Sequence, residues 1–306
     1  MCRHGQTAKP GPTMSLLTTS DSEIYYELHG DGPALVLIHG ASGTHLSWWQ
    51  QVAELRHHHS CLIYDLRGYG RSRSLGQAHD PGDGHVHARD LKALLAHVGM
   101  SEEKLHVMGA SLGTAVALHF AADHPERMAS LILCCGPGTI STPLIDEGWR
   151  LRHERMQARY RQVGTQASSM PPGVPRVRSP GEKERFAAAY HPYGPVGEAM
   201  NLDFPALTFL YAEIMASAGG PPTPSVFPVF QTRPVTATEA GTMTCPVLVV
   251  GGTEDPLFSA AEMTEVASLF PNSQLELFKG AGHLAYYERP RRFNDLVRAF
   301  LAKQPS

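Results

Sequence analysis

Gly109-Ala110-Ser111-Leu112-Gly113 is the stretch that leaves this chain the fewest choices. Lys104 to Met108, just before it, are short and apolar enough to be a buried strand. Thr114 to Ala122, just after it, are apolar on nearly every side and read as a buried helix. A serine on the turn between them is forced into a strained backbone conformation that lifts its hydroxyl above the sheet. The flanking glycines let strand and helix approach closely. The N–H of Leu112 then points at the negative charge that develops in a tetrahedral intermediate. Gly-x-Ser-x-Gly also recurs by chance in ordinary turns, so the rest of the chain decides what this one means.

Ala34 to Ile38 and Ser60 to Tyr64 are continuous apolar runs, the mark of strands buried on both faces of a parallel sheet. A strand from Ile24 to His29 and a turn at Gly30-Asp31-Gly32-Pro33 precede them. Helices are expected over Leu46 to Leu55 and Arg89 to Val98, and another strand over Ser130 to Cys135. Such alternation implies an α/β chain with a doubly wound, mostly parallel sheet.

The alternation stops at Gly136. Residues 137–243 hold instead a charged, Arg-rich helical stretch (146–163), a Pro-rich loop (170–180), a short helix (182–190), an apolar helix (206–218) and a second Pro-rich loop (220–224). Alternation resumes with a strand at 246–251, a helix at 260–270, a strand at 274–278 and a last helix at 290–302. The expected organisation is a disordered leader at 1–20, with Met14 as an alternative start, a core of 21–136 and 244–306, and a helical cap inserted at 137–243. An insertion between parallel strands emerges at one end of the sheet, where it covers a site without disturbing the core.

Composition excludes more than it selects. A net charge of -3 is too small to suggest nucleic-acid or membrane partners. There is no apolar run long enough to span a bilayer and no apolar signal-peptide core at the N-terminus. Cys61, Cys134, Cys135 and Cys245 sit in or beside expected strands and, with Cys2, form no Cys-x-x-Cys; free thiols in a reducing, cytoplasmic compartment are expected. Among the 17 histidines, His57-His58-His59 reads as a solvated loop and His85 and His87 as surface residues. Neither group has the carboxylate or cysteine spacing that completes a metal site, so no metal is expected.

The remaining chemistry gathers behind two later strands. Gly252-Thr253-Glu254-Asp255-Pro256 follows the first, and Lys279-Gly280-Ala281-Gly282-His283 follows the second. Both loops leave the carboxyl ends of parallel strands, where open α/β sheets place their sites. A serine hydroxyl needs an imidazole to take its proton, and the imidazole needs a carboxylate to fix its tautomer. Ser111, an acid at Asp255 or Glu254, and His283 are the candidates. His39-Gly40-Ala41-Ser42-Gly43 follows a buried strand, which places the Ala41 N–H as a second oxyanion donor beside that of Leu112. Asp65-Leu66-Arg67-Gly68-Tyr69-Gly70-Arg71-Ser72 reads as a structural turn with an Asp65–Arg67 pair.

Taken in order, His-Gly, Asp-x-Arg-Gly-x-Gly-x-Ser, Gly-x-Ser-x-Gly, Asp-Pro and Gly-x-Gly-His resemble the α/β-hydrolase superfamily in its cap-bearing branch. The likeness runs over about 24–135 and 245–301. Ala122-Asp123-His124-Pro125-Glu126-Arg127 is similar to the segment after the elbow in enol-lactonase-like and esterase-like members. The resemblance implies an α/β-hydrolase fold and a cofactor-free hydrolase with Ser111 as nucleophile. Its Asp-Pro turn favours Asp255 over Glu254. Serine at 111 argues against the dehalogenase and epoxide-hydrolase branches, which carry aspartate there. Ester or lactone cleavage ranks first, a carbon–carbon hydrolase, perhydrolase or lyase second, and a hydrolase-like receptor third.

The expected substrate is a medium-sized, mostly apolar small molecule held by shape. The walls of its pocket are assigned to Trp48 or Trp49 and to Phe209 on the apolar cap helix. The Arg-rich stretch with Arg150, Arg152, Arg155, Arg159 and Arg161 spreads its charges and reads as a solvated face. No nucleic-acid or membrane partner is expected, and a homo-oligomer is compatible with the sequence.

Overall fold

The computed structural model describes residues 13–41, 43–75, 84–163, 198–218 and 233–304. In chain order its strands are β1 (Thr13–Thr18), β2 (Ser22–His29), β3 (Ala34–Ile38), β4 (Ser60–Tyr64), β5 (Arg73–Ser74), β6 (Leu105–Ala110), β7 (Met128–Cys134), β8 (Ile140–Ser141), β9 (Val235–Thr236), β10 (Val247–Gly252) and β11 (Ser273–Phe278). Its helices are α1 (Trp49–Leu55), α2 (Gly84–His97), α3 (Leu112–Asp123), α4 (Pro143–Val163), α5 (Glu198–Asp203), α6 (Pro205–Ser217), α7 (Ala237–Thr242), α8 (Ala260–Leu269), α9 (Ala285–Glu288) and α10 (Pro290–Leu301). A 3-10 turn, His45–Trp48, precedes α1.

Strands without a polar face must be covered on both sides, and β3, β4, β6, β7 and β10 are buried at every position. They pair in parallel in the order β4-β3-β6-β7-β10, with β11 parallel at one edge and β1, β2 antiparallel at the other. With β5 beside β2, the described residues form one nine-stranded, mostly parallel sheet. Successive side chains of a strand face opposite sides. Leu35 and Leu37 therefore join the core under α1 and α10, with Val52, Leu55, Phe293 and Val297. Val36 and Ile38 join the core under α2, α3 and α8, with Leu91, Val116 and Val266. The sheet is doubly wound, as expected.

β3 has β4 on one side and β6 on the other. The winding reverses there, so the loops leaving the carboxyl ends of β3 and β6 border one crevice. Between β7 and β10 the described residues add nothing to the central sheet. β8 and β9 pair only with each other, in parallel, and α4 to α7 are helical. This stretch is nonetheless rooted in both cores. Ile145, Trp149 and Ala240 join one, and Met200, Tyr211 and Met215 join the other. The expected helix at 182–190 and the Pro-rich loops lie outside the described residues. No helix among those described is long and apolar enough to cross a membrane.

Three expectations change. Residues 13–18 of the expected leader form β1, paired with β2 so that Leu16 lies opposite Tyr25. Only Leu17 is buried while Met14 and Leu16 stay exposed, so an edge strand with one covered face leaves little apolar signal. His87 is buried rather than on the surface. Asp65 and Arg67 do not pair. Asp65 Oδ1 accepts the His45 N–H and meets its Nδ1, both at 2.7 Å, and Oδ2 accepts the Arg71 N–H at 2.8 Å. Gly70, at φ 53°, leaves room for that carboxylate, since a Cβ there would lie 2.2 Å from Oδ2. Arg67 turns instead to Asp90 Oδ2 and Oδ1 at 2.9 and 2.6 Å and to Asp21.

The Arg67–Asp90 pair is almost fully buried, so removing one partner strands the other in a medium that solvates it poorly. Arg67→Ala is expected to lower the unfolding free energy by about 3–5 kcal/mol in urea melts. Arg73→Ala, which breaks a pair whose arginine is 61% exposed, is expected to leave the midpoint nearly unchanged. Equal midpoints for the two variants would contradict the assignment.

Candidate active site

Ser111 joins β6 to α3 at φ 50° and ψ −114°, a conformation a non-glycine residue holds only under constraint. The constraint is close packing. A Cβ on Gly109 would lie 2.2 Å from the Gly113 carbonyl, and one on Gly113 would lie 2.2 Å from the Ile38 carbonyl. The Ser111 N–H donates to the Cys134 carbonyl at 2.9 Å, and the Ser111 carbonyl accepts the Thr114 N–H and hydroxyl. Leu112 is the first residue of α3, so its N–H is among those the helix leaves without an internal acceptor.

The loop after β3 lies against this turn: a Cβ on Gly40 would sit 3.1 Å from Ser111 Cβ. His39 fixes that loop. Its Nε2 accepts the Leu66 N–H at 2.9 Å, so the ring proton sits on Nδ1, which donates to the Gly40 carbonyl at 2.7 Å. Burial pushes the His39 pKa down and keeps the ring neutral in this role. Among the described residues, no loop or turn carbonyl takes the N–H of Ala41 or of Leu112.

Asp255 and His283 come from the ends of β10 and β11. Gly252 lets the two loops meet, since a Cβ there would lie 2.2 Å from both the Ala281 and Gly282 carbonyls. Asp255 Oδ1 accepts the N–H groups of Leu257 and Phe258 at 2.7 and 3.1 Å. Its Oδ2 meets His283 Nδ1 at 2.9 Å, and His283 Nε2 lies 2.9 Å from Ser111 Oγ. A carboxylate only accepts, so the proton is on Nδ1 and Nε2 is free to accept from the serine hydroxyl. Both side chains are nearly dry, at 6% and 1% exposed. Glu254, the rival acid, points to solvent and offers only its N–H, to the Ala281 carbonyl at 2.9 Å.

With this geometry in hand, the comparisons decide the family. Residues 33–290 match the model of the alpha/beta hydrolase fold. The chain belongs to that family. An esterase from Thermogutta terrifontis is 26% identical, with a TM-score of 0.75 over 95% of this chain and 98% of that one. The enol-lactonase from Burkholderia xenovorans LB400 is 21% identical, with a TM-score of 0.72 over 92% and 97%, a likeness of fold. The 2-hydroxy-6-oxononadienedioate/2-hydroxy-6-oxononatrienedioate hydrolase of Pseudomonas sp is 24% identical over 305 residues, 94% of this chain and 96% of that protein.

In this α/β-hydrolase the residues assigned to the pocket walls differ in burial. Trp48 has no exposed surface. Its ring packs on Tyr286 at 4.6 Å inside the core, so it lines no open space. Trp49 is 41% exposed, and the Tyr287 hydroxyl donates to the Leu207 carbonyl of α6 at 3.0 Å. Phe209, on α6, is 67% exposed. An apolar residue beside a motif is thus as readily core or surface as pocket. Among the described residues no group of three or more His, Cys, Asp or Glu is arranged to hold a metal ion.

One residue at the site escaped the sequence reading. Glu288 ends the one-turn helix α9 and returns its buried carboxylate to the N–H of Gly282, at 3.0 Å from each oxygen, and of Leu284, at 3.3 Å. These residues flank His283 on both sides. The available signal was a lone acid closing the apolar run Leu284 to Tyr287; such a charge stays buried only when hydrogen-bonded. Glu288→Ala leaves two buried donors unpaired, at about 1–3 kcal/mol each. A fall of that size in unfolding free energy is expected, with a smaller fall in Glu288→Gln, which keeps an acceptor. An unchanged urea midpoint in the alanine variant would contradict the clamp.

Proposed function

We propose that this α/β-hydrolase cleaves a carboxylic ester or lactone through an acyl-enzyme. The observation that carries the reading is the continuous hydrogen-bonded chain from Ser111 Oγ through His283 to Asp255, with 2.9 Å at each link. Ser111 Oγ attacks the carbonyl carbon while its proton passes to His283 Nε2. Asp255 stabilises the resulting imidazolium and holds its tautomer. The N–H groups of Leu112 and Ala41 receive the oxyanion. On collapse, His283 returns the proton to the departing alkoxide and the acyl group remains on Ser111. In a lactone the freed hydroxyl stays on the acyl chain. Water then attacks, losing a proton to His283, and the acid leaves with Ser111 restored. The reaction needs substrate and water alone.

We assign 13–136 and 244–306 to the catalytic core, β1 included, and 137–243 to a cap over it. Phe258, whose ring lies 5.6 Å from that of His283, gives the site an apolar wall. A medium-sized, mostly apolar substrate fits this setting. The second reading, carbon–carbon bond hydrolysis with the same three residues, is favoured by the near full-length likeness to the Pseudomonas dienedioate hydrolase.

Specificity constants across acyl esters of increasing length, small lactones and a 2-hydroxy-6-oxo-dienoate distinguish the two. Esters or lactones are expected to lead, Ser111→Ala to be inactive, and Asp255→Asn to lose about 10⁴ in kcat with the fold retained. A lead for the dienoate would favour the second reading. A marked preference for dianionic substrates would remove the apolar pocket, and activity without Ser111 would remove the mechanism.

A further inference from the structure

Arg152 breaks the pattern of the helix that carries it. Arg150, on the same stretch of α4, is 53% exposed and pairs with Glu147 and Glu154. The side chain of Arg152 is only 9% exposed, so the solvated face expected of this helix does not include it. Arg155, Arg159 and Arg161 have side chains outside those described. Arg152 Nη1 donates to the Leu257 carbonyl at 2.8 Å and to Glu262 Oε1 at 2.7 Å. Its guanidinium carbon lies 4.5 Å from the ring centre of Phe258 and 4.6 Å from that of Trp149.

Leu257 and Phe258 are the residues whose N–H groups hold Asp255 Oδ1. One peptide face of Leu257 thus grips the acid while its carbonyl is gripped by Arg152. The Phe258 ring stands between Arg152 and His283. Glu262 completes the turn, with Oε2 accepting the Ser259 N–H and hydroxyl at 2.8 Å each, which caps α8. Arg152 is thereby tied to both ends of 257–262, the segment that follows Asp255. Gly148 makes the approach of α4 feasible, because a Cβ there would lie 2.3 Å from Glu262 Oε1.

We propose that Arg152 is a positioning residue, through which the inserted helix α4 sets the Asp255 turn and with it the orientation of His283. The inference rests on the serine-hydrolase reading above. A buried ion pair is a poor device for stability alone, since apolar side chains hold two elements together as well or better. A guanidinium lodged in the corner of two T-shaped rings, whose centres lie 5.2 Å apart, with Nη1 shared by two acceptors, does something apolar packing does not: it fixes direction. Small displacements of a catalytic group, of the order of 1 Å, cost about 100-fold in rate.

The test uses the full chain, with sites counted by a fluorophosphonate, from which Ser111 Oγ displaces fluoride at phosphorus. In Arg152→Met, kcat per counted site is expected to fall about 10- to 100-fold with KM within about threefold. Arg152→Lys keeps the charge and an ammonium donor group but no planar guanidinium against the rings, and is expected to lie between that variant and wild type. Gly148→Ala, whose Cβ displaces the Glu262 carboxylate from Arg152, is expected to lower kcat in the same sense and carries the comparison if Arg152→Met does not fold. Unchanged kcat per counted site, or a rise in KM alone, overturns the proposal and leaves Arg152 as attachment. Wild type that is neither labelled nor active on esters overturns the serine-hydrolase reading and this inference together, before any variant is made.

Discussion

The contact between Ser111 Oγ and His283 Nε2 spans 172 residues of chain and 2.9 Å of space. A hydrogen bond tolerates a few tenths of an ångström, so three loops from three strands must be held to that precision. Parallel pairing of β6, β7, β10 and β11 sends their carboxyl ends to one edge. Each loop is then fixed by backbone contacts that only its sequence permits. Glycines let the serine turn close, two peptide N–H groups hold the acid, and the Glu288 carboxylate holds both neighbours of the histidine. The strain stored at Ser111, of the order of 1–3 kcal/mol, persists because these neighbours leave no relaxed alternative.

The insertion is a second consequence of the same edge. It leaves after β7 and returns before β10, which are neighbours in the sheet, and it contributes side chains to both cores. It also makes polar contacts with the loops around the site. Arg152 reaches Leu257, the Tyr287 hydroxyl reaches Leu207, and the Gly70 N–H reaches the Ala218 carbonyl at 2.5 Å. A segment anchored this way bears directly on the loops that carry Asp255 and His283.

Legibility followed burial. β3, β4, β6, β7 and β10 are apolar on both faces and read as unbroken runs, while β1 lies at an edge with one covered face and reads as leader. The order of Ser111, Asp255 and His283 was readable because each sits in a short loop after such a run, and the structure brings the three together. Side-chain partners chosen by tertiary contact were not readable. Asp65 and Arg67 are two residues apart yet bind different elements, and Arg152 looks like its exposed neighbours in sequence. Trp48 is buried in the core and Phe209 is exposed, because an apolar side chain carries no sign of which surface it will meet.

The central claim is that the reaction passes through a covalent bond to Ser111, and trapping that bond tests it most directly. Wild-type protein mixed with an activated acyl ester, quenched in acid during turnover and digested, would be read by mass spectrometry. The account predicts an acyl group in place of one hydrogen on the peptide containing Ser111, appearing with turnover and absent from Ser111→Ala. Steady turnover with the acyl group on another residue, or turnover undiminished in Ser111→Ala, would contradict it.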